Sequence, residues 1–213
     1  MVTNSPGKPL LRGVLHHTAA WASLGGGLVL VAMASSPRAA IAAAVYSLSL
    51  VALFAVSAIY HRVQWKAERA RARMRRADHA SIFVLIAGTY TPVSLLGLGA
   101  DDGRRLLIMI WTGAAAGVIL SLTWITAPKA LTAIVAVGVG WMIAPYFDQV
   151  RQFLGPYVWL ILAGGIVYTV GAIVYALKRP DPWPRVFGYH EVFHALTLVG
   201  ALLHFAAIVK IVR

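Results

Sequence analysis

Five polar residues near the ends of apolar segments have the composition of a catalytic metal site. They are Ser57 and His61, then His190 and His194, each pair four residues apart, and Asp78. Residues four apart share one face of a helix, so each pair can point toward one site. Three histidines and a carboxylate are typical of catalytic zinc sites, in which three protein ligands leave the fourth position to water. Ionisable groups inside a membrane are costly and usually face an interior site.

The segments that must position these residues are strongly apolar. The chain has 213 residues, of which 60% are hydrophobic, too many for an ordinary soluble domain. A bilayer-spanning helix needs roughly 20 mostly apolar residues. We predict one domain, 1–213, an all-α membrane protein built as a bundle of seven transmembrane helices at about 14–34, 39–60, 79–98, 106–126, 130–147, 154–177 and 187–209. The first apolar run exceeds the roughly 7–15 residues of a signal-peptide core, so we expect an uncleaved helix.

The placement of basic residues predicts the orientation in the cell membrane. The net charge is +12, and a basic run that we assign to a loop lies between the second and third segments: Arg62, Lys66, Arg69, Arg71, Arg73, Arg75 and Arg76. Cytoplasmic loops collect Lys and Arg. If this loop is cytoplasmic, so is the N-terminus with Lys8 and Arg12, and 13 of the 19 basic residues lie inside. The sequence thus predicts an N-terminus inside, a C-terminus outside, and attraction to anionic lipid headgroups rather than to nucleic acid.

This topology brings the five polar residues to the cytoplasmic leaflet. The second segment ends there with Ser57 and His61, the third begins there with Asp78, and the seventh begins there with His190 and His194. The chain has no cysteine, which excludes thiolate ligands. Zinc is the natural ion for three histidines, although imidazole also suits copper, iron and nickel.

The other histidines are weaker candidates. His204 lies ten residues beyond His194, about 15 Å along a helix, so we predict a packed, hydrogen-bonded side chain. His16 and His17 begin the first segment and could reach the surroundings of the site, whereas His79 should point elsewhere.

A second interpretation starts from His190-Glu191-Val192-Phe193-His194, which matches the HExxH pattern of zinc peptidases and would make Glu191 a general base. The longer metzincin form of that motif fails, because Thr197 and Gly200 stand where glycine and a third histidine are needed. An intramembrane peptidase of the shorter type stays open.

The chain resembles the hemolysin III branch of the progestin and adipoQ receptor family over essentially its whole length. The matching pieces are Arg12-Gly13 with His16 and His17, Ser57 to His61, Asp78 with Ile86 to Pro92, His190 to His194, and His204-Phe205. The resemblance implies seven helices with the N-terminus inside, and zinc held by His61, His190 and His194. It also implies that Ser57 and Asp78 flank a metal-bound water, and it relates the chain to membrane hydrolases such as alkaline ceramidases.

The function that follows is an intramembrane, zinc-dependent hydrolase of lipid amides or esters, with membrane lipids as substrate or ligand. Asp78 would be the general base, and Ser57 would stabilise the developing oxyanion. Three alternatives stay open: a non-enzymatic receptor or sensor with structural zinc, a cytolytic protein, and a zinc transporter. No polar stripe follows a whole helix, so the sequence gives a cytolytic pore no physical support.

Overall fold

The computed structural model describes residues 9–124 and 126–213. Two residues named or covered by the predictions lie outside the described residues: Lys8, in the predicted cytoplasmic terminus, and Ile125, in the fourth predicted segment. The helices are α1 Val14–Ala32, α2 Pro37–Arg62, α3 Glu68–Pro92, α4 Ala100–Thr123, α5 Lys129–Gly140, α6 Phe147–Leu154, α7 Val158–Leu177 and α8 Tyr189–Val212. In those two ranges no strand is formed, and one isolated bridge joins Trp183 to Phe187. The all-helical prediction is therefore confirmed.

Apolar side chains cover the outside of the bundle as well as its interior. Leu48, Ile134 and Leu202 are each more than 60% exposed, while Tyr46 and Phe83 are fully buried. Exposed apolar surface on this scale is costly in water and ordinary in lipid. Within the described residues, six helical segments are long and apolar enough to cross a membrane, with 129–177 counted as one segment.

Helix α3 begins earlier than the apolar pattern indicates. It starts at Glu68, so most of the basic run assigned above to a loop is helical, and Asp78 lies in the third turn instead of at the helix start. The reason is local: Ala, Arg and Met are good helix formers, and Glu68 in the first turn complements the helix dipole. At the other end, a π-helical turn, Val93–Gly97, follows Pro92. This irregularity is the effect expected of a proline inside a helix.

The segment 129–177 is interrupted. Helix α5 has only 12 residues and ends at Gly140, whereas the apolar pattern predicts a helix to about residue 147. The break exposes backbone groups, and the Tyr90 hydroxyl satisfies two of them: it donates to the Gly140 carbonyl at 2.6 Å and accepts from the Ile143 amide at 3.1 Å. Irregular backbone in a membrane bundle is tolerated where such partners exist.

Contacts between helix ends place the site at one end of the bundle. The N-terminal ends of α1 and α8 are adjacent, because the Leu10 amide donates to the Arg185 carbonyl at 3.0 Å. The C-terminal ends of the same helices meet where the Ser35 amide donates to the Val212 carbonyl at 2.9 Å. Helices α1 and α8 therefore run in parallel, and α2 returns antiparallel to bring His61 to the end at which α8 begins.

Candidate metal centre

Three histidines from two helices converge at this end of the bundle. His61 ends α2, and His190 and His194 occupy the first two turns of α8. One ring nitrogen from each lies within 4.8 Å of the other two, and the Nε2 atoms of His61 and His190 are 3.2 Å apart. Two nitrogens bound tetrahedrally to one zinc at about 2.0–2.1 Å would lie about 3.4 Å apart. The donor set therefore fits a tetrahedral ion with three imidazole ligands.

Asp78 and Ser57 lie beside these nitrogens. Asp78 Oδ2 is 3.9 Å from His61 Nε2, and the buried Ser57 side chain lies next to the Asp78 carboxylate. Ser57 lies one turn before His61 on α2, so the same helix face supplies a donor and a candidate ligand. The structure thus brings together all five residues that the sequence singled out; their roles in binding and catalysis stay predictions.

Glu191, which the peptidase interpretation requires as a general base, is otherwise engaged. Its side chain is 1% exposed and forms an ion pair with Arg12, while its second oxygen accepts from the Gly188 amide at 2.9 Å. The first amides of a helix have no partner within the helix. This second bond satisfies the Gly188 amide at the N-terminus of α8. Both carboxylate oxygens are therefore engaged, which argues against Glu191 as the free general base that the peptidase interpretation requires.

The remaining histidines fall into different settings. The His16 ring is buried and stacks on the His194 ring, with centroids 3.7 Å apart and planes at 11°. His17 is exposed. His204 Nε2 lies 3.0 Å from the Ile161 carbonyl oxygen, which agrees with the prediction of a hydrogen-bonded side chain. His79 lines the same cavity as Asp78, so the expectation that it points elsewhere is wrong.

An apolar cavity extends from the histidines into the bundle. Its volume is about 160 Å³, and its polar end is formed by Ser57, Asp78, His79, His190 and His194 together with His16. Most of the remaining wall is apolar. A second cavity, of about 470 Å³, continues toward the other end of the bundle and shares the following lining residues with the first: Thr89, Tyr90, Gly140, Trp141, Gly165 and His204. The polar cluster therefore lies at one end of these two adjoining cavities, hereafter called the apolar chamber.

Comparison with known proteins identifies the family of the chain. The sequence profile of the family described as haemolysin-III related matches residues 5–205. The chain belongs to this family. Haemolysin-III-related proteins similar to it include "Hemolysin-3" of Bacillus cereus, 30% identical over 92% of this chain and 88% of the relative. "Hemolysin-3 homolog" of Bacillus subtilis is 29% identical over 76% of this chain and 72% of the relative.

Animal proteins are also similar to this member of the haemolysin-III-related family. "Monocyte to macrophage differentiation factor" of Homo sapiens is 26% identical over 80% of this chain and 70% of its own length. "Adiponectin receptor protein" of Drosophila melanogaster matches a shorter part, 39% identical over 69 residues. The predicted resemblance to the progestin and adipoQ receptor family is confirmed, and the chain is a multi-pass membrane protein.

Two contacts of the haemolysin-III-related site escaped sequence reasoning. Arg12 and Glu191 are 179 positions apart, and nothing in their spacing indicates that they pair. The second contact is made by the half-buried Lys129, whose ammonium group lies 4.4 Å from the centre of the Tyr175 ring and donates to the Tyr189 hydroxyl at 3.0 Å. The sequence signals that these residues offer are a charge next to an apolar segment and, for Arg12, its place in the motif that carries the family resemblance.

Proposed function

We propose that this protein is a zinc-dependent hydrolase that cleaves an amide or ester bond of a membrane lipid at the cytoplasmic leaflet. The observation that carries the proposal is the convergence of three histidine nitrogens within 4.8 Å, beside the neighbouring Ser57 and Asp78 side chains, at the polar end of an apolar chamber. Membership of the haemolysin-III-related family and the coarse all-helical fold are consistent with it.

The residues divide the chemistry between them. His61, His190 and His194 would hold the ion, and bound zinc supplies Lewis acidity and lowers the pKa of water to near 7. Asp78 would accept the proton of the attacking water as general base, since its carboxylate lies on the cavity wall next to the histidines. Ser57 has a single O–H donor, which would orient the Asp78 carboxylate before the reaction and turn to the developing oxyanion once Asp78 has taken the water proton.

The chamber suits the apolar part of a lipid. Leu85, Ile86, Ala136 and Val137 line the first cavity between α3 and α5. Binding sites for small molecules are typically apolar clefts with a few polar groups that fix orientation. An acyl chain placed there would bring its scissile carbonyl to the polar end, beside Asp78.

We further propose seven crossings, with the N-terminus in the cytoplasm and the C-terminus outside. Lys129, at the start of α5, lies over the ring of Tyr175, near the end of α7. Tyr157, just before α7, lies instead beside Lys210, near the end of α8. Residues 129–177 are also too many for one crossing of a hydrocarbon core about 30 Å thick. These contacts and the length of residues 129–177 support a segment that crosses the membrane and returns.

A second candidate is a receptor or sensor in which zinc is structural. Structural zinc sites are closed by four protein ligands. Asp78 Oδ2, 3.9 Å from His61 Nε2, is near enough for a carboxylate to act as the fourth ligand. Cytolysis, the property in the printed names of the two Bacillus relatives, would follow in the hydrolase proposal from lipid breakdown.

The test is the metal content of the purified protein in detergent, measured by elemental analysis. We expect about one zinc per chain in the wild type and none in His190→Ala. His17→Ala, which removes an exposed histidine, is the matched control and should retain the ion. Hydrolysis of ceramides and phospholipids would then be measured on zinc-loaded protein. A wild type that binds no metal in zinc-replete medium would contradict the hydrolase.

A further inference from the structure

A buried ion pair joins the segment before α1 to the helix turn that carries two of the candidate ligands. Arg12 lies two residues before α1, and Glu191 follows His190 directly in α8. The Arg12 side chain is 21% exposed and that of Glu191 is 1% exposed. Since the second oxygen of Glu191 closes the N-terminus of α8, the pair couples Arg12 to the backbone that positions His190.

The same segment also contacts the third ligand. Gly13 has φ of 76°, and a Cβ built on it would lie 2.7 Å from the Cβ of His61. The chain around Gly13 therefore lies directly against α2 at the candidate ligand. Two backbone bonds hold this segment in place, from the Leu10 amide to the Arg185 carbonyl at 3.0 Å and from the Leu11 amide to the Val186 carbonyl at 3.1 Å.

A third contact comes from the first turn of α1. The His16 ring stacks on the His194 ring, so α1 touches α8 at a ligand, in addition to the Arg12–Glu191 contact made by the preceding segment. Residues 10–16 thus lie between the helix that supplies one ligand and the helix that supplies two. A rotation of α8 relative to α2 would disturb the Arg12–Glu191 pair and the contact of Gly13 with His61.

We infer that Arg12 is a positioning residue for the metal site, and that its ion pair with Glu191 sets the affinity for the metal. The inference depends on the metal site of the proposed function. Removing one partner of a buried pair leaves an uncompensated charge, which is strongly unfavourable. Partners that orient metal ligands from outside typically change metal affinity by about 10–100-fold when they are mutated.

The experiment is a double-mutant cycle on zinc affinity, measured by competition with a chelator on purified protein in detergent. We expect Arg12→Gln and Glu191→Gln each to weaken zinc binding by about 10–100-fold. The double variant, which removes both charges, should lose much less than the product of the two losses. Arg12→Lys, which keeps the charge, should recover part of the affinity. Arg105→Gln is the control, because it breaks the exposed Arg105–Asp102 contact.

A spectroscopic readout separates positioning from general support of the fold. Cobalt(II) in place of zinc reports ligand geometry through its visible absorption, and we expect that band to shift in Arg12→Gln and to stay unchanged in Arg105→Gln. Wild-type zinc affinity and an unchanged cobalt spectrum in Arg12→Gln and Arg12→Lys would overturn this inference and leave the hydrolase proposal standing. A wild type that binds no metal would overturn the hydrolase proposal first.

Discussion

Replacing Gly13 by alanine should damage the metal site through one methyl group. The left-handed conformation at φ 76° costs a residue with a Cβ roughly 1–2 kcal/mol. The new Cβ would also lie 2.7 Å from the Cβ of His61, where ordinary contacts are 3.4–4 Å, so His61 must retreat by roughly 1 Å. Metal–ligand distances vary by only about 0.2 Å, so this displacement is several times what a bound ion tolerates.

We therefore expect Gly13→Ala to weaken zinc binding by about 10–100-fold, which corresponds to about 1.4–2.8 kcal/mol of binding free energy. The assay is chelator competition at equal concentrations of folded protein, with thermal unfolding measured in parallel by tryptophan fluorescence. Gly25→Ala is the matched control: Gly25 lies within α1 with nothing near its would-be Cβ. Alanine in a helix is favoured over glycine by about 0.5–1 kcal/mol, so the control should be neutral or more stable.

The reasoning is refuted if Gly13→Ala binds zinc as tightly as the wild type. A loss of zinc affinity in Gly25→Ala equal to that in Gly13→Ala would also refute it, because the effect would then be general to α1. A lower unfolding temperature in Gly13→Ala without any change in zinc affinity would assign Gly13 to the stability of the turn and not to the position of His61.

Three further predictions follow from the site and the bundle. Asp78→Asn should keep zinc, and its rate of hydrolysis, measured on zinc-loaded protein, should fall by about 10²–10⁴-fold, the usual contribution of a general base. Loss of the ion in this variant would instead favour Asp78 as a structural ligand. Ala136→Trp should fill the first cavity and abolish turnover of long-chain lipids at unchanged zinc content, and full activity would exclude this cavity as the acyl path. Because the chain has no cysteine, Ala100→Cys and Arg71→Cys can each be labelled alone. A membrane-impermeant maleimide should reach residue 100 in intact cells and residue 71 only after permeabilisation, and the opposite pattern would reverse the proposed orientation.

The sequence predicted the helical, membrane-spanning character of the fold, because this depends on residues that lie close together in the chain. Long apolar runs predict membrane helices, since backbone polar groups in lipid must be satisfied within the segment. The helix boundaries differ from the apolar pattern where polar residues form helix or apolar residues do not. Helix α3 extends back to Glu68 through polar residues, and α5 ends at Gly140 within an apolar run. Hydrophobicity reports burial in lipid, and it does not report where the helical hydrogen bonds stop.

The candidate site was partly visible in the sequence for the same reason. His190 and His194 are one helical turn apart, so spacing alone places them on one face, and the charge bias predicted that His61 lies at the same depth. The depth of a residue in the membrane does not determine how its helix is rotated about its own axis. That these three rings face one another, within 4.8 Å, depends on how α2 and α8 pack.

The sequence by itself determined the family, the membrane class and the residue types available for chemistry, because these depend on composition and on spacings of a few residues. Tertiary structure alone decided that Glu191 pairs with Arg12 and is not free to act as a base, that His16 stacks on His194, and that an apolar chamber opens at the histidines. Those contacts join residues far apart in the chain. Their formation depends on the packing angles and rotations of whole helices, which no local pattern specifies.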